Sequence, residues 1–151
     1  MKIEVLQMGT RGIQDFYKSL GENGCYLFAL IEAGFRLTKK APCLSQCLSL
    51  ALSSDGLFFD FENYQNPKNF FVKDASLLLH DIYGGKWEVQ HIYKKPDFLL
   101  KEEAIINCWE WVKENGKIST HFNLPDWDSL RFSHTVHNGQ IKSYRYVHRI
   151  S

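Results

Sequence analysis

The sequence predicts an α+β fold in which helices come first and antiparallel strands last. Three observations carry this. Apolar residues follow helical spacing through the first two thirds of the chain, the period turns to alternation after Gly116, and Asn138-Gly139 supplies a strong hairpin signal near the end.

The first helix begins after the turn Gly21-Glu22-Asn23-Gly24, where Asn23 or Gly24 can cap CYLFALIEAGF. Leu27, Phe28, Leu30 and Ile31 make it apolar on nearly every side, which implies burial all round. Pro42 suits the first position of a second helix, which Gly56 stops. Asp74 caps a third, DASLLLHDIYGG, closed by Gly84-Gly85. Ile105, Ile106, Trp109 and Val112 predict a fourth over 101–115, ended by Gly116. On it Trp109 and Trp111 cannot share a face, so one is expected buried and the other partly exposed. Strands are expected over 86–92 and in KISTHFNL, WDSLRF, RFSHTV and IKSYRYVHRI, the later ones forming an antiparallel meander.

A chain of 151 residues is the size of one domain, and no repeat or linker divides it, so residues 1–151 are read as a single unit. A hydrophobic share of 44% supplies a core, and 23% charged residues match a soluble protein. Lys+Arg 18 against Asp+Glu 17 leaves +1, so no summed field draws the chain to nucleic acid or to a membrane. The N-terminus lacks an apolar run of export-signal length, and no stretch is long enough to span a bilayer, which predicts a cytoplasmic protein. Four cysteines are then too sparse for a disulfide framework and are judged singly.

Cys25 stands at the first turn of its helix, where free backbone N–H groups and the positive end of the dipole favour a thiolate. The same N–H groups can donate to an oxyanion formed at an attacked carbonyl. A base is available late in the chain. If Pro125-Asp126 turns the chain, Asn123 pairs across from Asp128, and Asp128 becomes the diagonal neighbour of His121 on one face. A carboxylate there would orient the imidazole as the third member of a triad.

Gly24-Cys25-Tyr26-Leu27-Phe28 opening a buried helix, then Thr120-His121-Phe122 and Trp127-Asp128-Ser129-Leu130, resembles the papain-like cysteine peptidase superfamily. The resemblance is to its small bacterial and phage branch, akin to bacteriocin-leader peptidases and peptidoglycan amidopeptidases. Thr135-Val136-His137-Asn138-Gly139-Gln140-Ile141 is similar to that branch's closing hairpin. The resemblance implies Cys25 as nucleophile, His121 as general base, Asp128 as orienting residue and Gln14 as the upstream oxyanion donor. It implies a peptide or peptidoglycan-type substrate and no cofactor. The sequence departs from the branch in Trp127-Asp128-Ser129, where Tyr-Asp-Pro is common, and in the short link between His121 and Asp128. A catalytically inactive member that keeps the scaffold for binding or structure is the alternative.

Blander readings cover the remaining residues. Cys43, Cys47 and Cys108 are read as core. Cys43 and Cys47 share a helix face but have no second ligand pair, and His134 and His137 face opposite sides of an extended strand, so no metal site is expected. The aromatic stretch 57–71 is read first as packing, although in a papain-like layout such a segment walls the cleft.

Overall fold

The computed structural model describes residues 24–40, 43–60, 70–125 and 139–151. Among them are three helices, a two-stranded sheet and a four-stranded sheet, both antiparallel in their pairings. The expected α+β class is met at that level.

Helix α1 (Cys25–Thr38) starts at Gly24, whose carbonyl accepts from Phe28 N–H at 2.9 Å. Its end is marked by Lys39 in the left-handed region (φ 57°), with its N–H on the Phe35 carbonyl. Helix α2 (Leu44–Ser53) follows with Cys43 at its N-cap. Strands β1 (Leu57–Phe59) and β2 (Phe70–Val72) pair, burying Phe59 and Phe70 and leaving Phe58 stacked on Phe71 outside. Residues 61–69 between them lie outside the described set, as does Pro42. Helix α3 (Ala75–Tyr83) is capped as its sequence predicts: Asp74 Oδ1 accepts from Leu77 N–H, and Gly84 closes it at φ 73°.

The helices lock together through a glycine. A Cβ on Gly34 of α1 would stand 2.2 Å from the Tyr83 ring of α3, so only glycine admits this approach. Tyr83 Oη in turn donates to the Ile31 carbonyl at 2.5 Å.

The large sheet has the order β3–β6–β4–β5, from β3 (Trp87–Ile92), β4 (Glu103–Val112), β5 (Ile118–Asn123) and β6 (Gln140–Arg149). Two expectations are corrected here. Residues 101–115 do not form a fourth helix, because Ala104 to Cys108 are buried in succession on a strand flanked by two others. A continuous apolar run reads equally as buried strand or helix, and the β-branched and aromatic content tips it to strand. Gly116 is a hairpin residue instead of a helix stop: at φ 79° its N–H reaches the Lys113 carbonyl, while Lys113 N–H reaches Lys117. On this strand Trp109 and Trp111, two apart, are both half-buried.

The second correction concerns strand order. The last strand does not finish a meander; β6 inserts between β3 and β4 and pairs antiparallel with both. Strands β3 and β4 are therefore parallel, and residues 93–102 form a crossover that carries the chain back along the sheet. WDSLRF and RFSHTV fall outside the described residues.

The core lies between the helices and one face of the large sheet. Leu27, Leu30, Ala33, Leu78 and Leu79 pack against Trp87, Ala104, Ile106, Leu124 and Val147. Cys47 is buried in this core, as expected; Cys43 is not, because its N-cap position holds it at the surface beside Ser45 Oγ at 3.0 Å. Among the described residues no helix is long and apolar enough to cross a membrane.

Candidate functional site

Gly24 ends the non-helical approach and Cys25 is the first helical residue, so the orphan N–H groups of the first turn gather around its side chain. The Cys25 sulfur takes backbone hydrogen bonds from Phe122, Tyr26 and Cys25 itself. Each lowers the thiol's pKa, yet burial outweighs all three and pushes the thiol above its ordinary 9.0; Cys108 nearby adds to the rise. The helix start therefore supplies donors without producing a resting thiolate at neutral pH.

Phe122 lies on β5, and its ring stacks on Tyr26 at 4.4 Å between centroids. This stack fixes the start of α1 against β5. Arg145 of β6 covers both rings, 5.4 Å from the Phe122 centroid and 5.9 Å from that of Tyr26. Burial pushes the Tyr26 phenol up to about 12, against the opposing pull of the Arg145 guanidinium. Cys108 stands directly opposite Phe122 in the β4–β5 ladder, and its thiol is raised by burial while the Ser143 hydroxyl and Arg145 pull it down. Sequence reading missed Tyr26, Arg145 and Cys108 as surroundings of the sulfur. The alternation of β6 gives Arg145 a face, but which strand adjoins it depends on long-range order.

His121 precedes Phe122, so α1 brings Cys25 to the strand segment that carries the expected base. Strand alternation sends the two β5 side chains to opposite faces. Phe122 faces α1, whereas His121 shares the other face with its cross-strand partner Trp109 and with Asn107 and Asn123. On that face Asn123 Oδ1 accepts from Trp109 Nε1 at 3.0 Å and from Asn107 Nδ2 at 3.5 Å. Nε2 of His121 is buried, and desolvation lowers its pKa below 6.5. At pH 7 the thiol and the imidazole are thus both neutral.

Asp128 and Gln14 lie outside the described residues, as do His134 and His137. Among the described residues no three His, Cys, Asp or Glu side chains gather as a metal-binding group. Comparison with known proteins brings no family model, no curated sequence and no solved structure that matches this chain.

Proposed function

We propose that the chain is a papain-like cysteine hydrolase that opens a peptide or isopeptide bond, with Cys25 as nucleophile and His121 as base. The observation that carries this reading is the hydrogen bond from Phe122 N–H to the Cys25 sulfur, which sets the first turn of α1 against the residue next to His121. An N–H engaged by sulfur is not part of the β4–β5 ladder, so Cys25 sits along the side of β5 away from β4.

In the proposed reaction neutral His121 takes the Cys25 proton as sulfur attacks the carbonyl carbon. The first-turn N–H groups receive the oxyanion, and the imidazolium returns its proton to the leaving amine. Water then hydrolyses the thioester, with His121 again as base. By resemblance Asp128 orients His121 and Gln14 adds an oxyanion donor, and a short peptide or cell-wall stem peptide is the substrate.

A second reading, a catalytically silent papain-like module for binding or structure, has its own support. Burial raises the Cys25 thiol, and His121 leaves β5 on the face opposite Phe122.

A peptidyl vinyl sulfone separates the two. For a hydrolase, mass spectrometry finds an adduct at Cys25 that is lost in Cys25→Ala and strongly reduced in His121→Ala. Reaction at exposed Cys43 alone supports the silent module.

A further inference from the structure

Arg145 stands on the helix-facing side of the large sheet, because it pairs across from the core residue Ile106 in the β4–β6 ladder. The β3–β6 ladder sets His91 opposite it from the other flank. Two residues along each strand, Ser143 pairs with Cys108 on the same side, and Cys108 with Phe122, on which Tyr26 stacks. Side chains on this side therefore lead from His91 past Arg145 to the junction that holds the Cys25 sulfur.

Arg145 is half-buried, and its contacts are neutral. Nη1 donates to Ser143 Oγ at 3.3 Å and to the Tyr144 carbonyl at 3.4 Å, the Tyr26 phenol accepts from the guanidinium, and the Tyr26 and Phe122 rings lie against it. Among the described residues no carboxylate stands within ion-pair distance of it, whereas Arg149 on the same strand has Glu102 at 3.8 Å. Glu110, two residues past Cys108 and so on the same side, acts on Cys108 without pairing with Arg145. A guanidinium withdrawn from water ordinarily has a charged partner for its five donors.

The surroundings select the partner's chemistry. One guanidinium presents one positive charge in a planar fork, which matches the two oxygens of a carboxylate. A phosphate dianion calls for a second cation, and His91 is not one at pH 7: slight burial, then the Arg145 charge, hold its imidazole below 6.5.

We propose that Arg145 binds a carboxylate of the peptide that reaches Cys25, so that the substrate is anionic. That the ligand is a peptide rests on the function proposed above; that it carries a carboxylate rests on Arg145.

Nitrogen-15 NMR titrations of the full chain test this with three probes: acetyl-trialanine with a free carboxyl terminus, its carboxamide, and the carboxamide of acetyl-alanyl-glutamyl-alanine. At least one acid should give saturable shifts at Arg145 Nε–H and the Phe122 amide, at least about tenfold tighter than the neutral carboxamide. Which acid binds distinguishes a terminal from a side-chain carboxylate. Arg145→Gln should abolish the preference and Arg145→Lys retain part of it, with circular dichroism and melting confirming that both fold. Equal affinity of the wild type for acids and neutral carboxamide, no saturable binding of either acid, tighter binding of inorganic phosphate, or a preference that survives Arg145→Gln overturns the proposal. The wild-type comparison decides the matter even if a variant unfolds. The vinyl sulfone adduct at Cys25 is read separately: acid preference without an adduct upholds the carboxylate site and removes the hydrolase, whereas an adduct without acid preference removes the site and leaves the hydrolase.

Discussion

The Cys25 sulfur accepts a hydrogen bond from the backbone N–H of Phe122, which joins the start of α1 to the C-terminal end of β5. Tyr26 stacked on Phe122 holds the same junction from the neighbouring residue. Cys25 is thereby held against the strand that carries His121, with burial favouring the uncharged form of both.

The thiols should react with iodoacetamide in an order set by their surroundings. Cys43 is exposed, and hydrogen bonds from Ser45 and Gln46 lower its pKa, whereas burial raises Cys25, Cys47 and Cys108. Site-resolved mass spectrometry at pH 7 should find Cys43 modified first. The alkylation profile of Cys25 should rise with an apparent pKa above 9.0. A profile centred well below that value would mean that the first-turn donors outweigh burial.

Gly34→Ala should destabilise the fold by about 1–3 kcal/mol, because the new methyl meets the Tyr83 ring and the two helices cannot separate without opening the core. Denaturant unfolding measures it. A loss below about 0.5 kcal/mol would show that the contact yields freely.

Asn123→Ala removes the acceptor of Trp109 Nε1–H on the half-buried face of the sheet. An unsatisfied indole donor there should cost about 1–3 kcal/mol, with a change in tryptophan emission. Unchanged stability and emission would mean that water replaces the amide.

His121 gives stability a pH dependence of definite sign. Its pKa is lowered in the folded state, so below its unfolded value of 6.5 the unfolded chain binds more protons. Its contribution is therefore fully present above pH 6.5 and is lost as pH falls from there toward the lowered folded value. His91 is shifted in the same direction but is largely exposed and contributes little. His121→Gln should flatten the decline in melting temperature below pH 6.5 relative to wild type; parallel curves would contradict the assignment.

Local signals made much of this fold legible. The Asp74 cap, the Gly84 stop and the apolar run after Gly24 each depend on a few neighbouring residues, and α1 and α3 were readable from them. Residues 101–115 were not, because a strand buried on both faces loses its alternation and Ile105, Ile106, Trp109 and Val112 happen to match helical spacing. The insertion of β6 between β3 and β4 was hidden for another reason: strand order is set by long-range packing. At the candidate site, Cys25 at a helix start was readable locally. The meeting of that helix with β5, and the predominance of burial over the helix-start donors at the sulfur, depend on long-range packing that no local signal carries.

Whether His121 serves Cys25 as proposed is read from the pH dependence of Cys25 alkylation in wild type, His121→Ala and His121→Gln. If His121 acts as the base, both variants slow Cys25 modification at pH 7 by at least about tenfold while Cys43 reacts unchanged. Identical Cys25 rates across pH in all three proteins would contradict the couple and leave Cys25 a buried structural thiol.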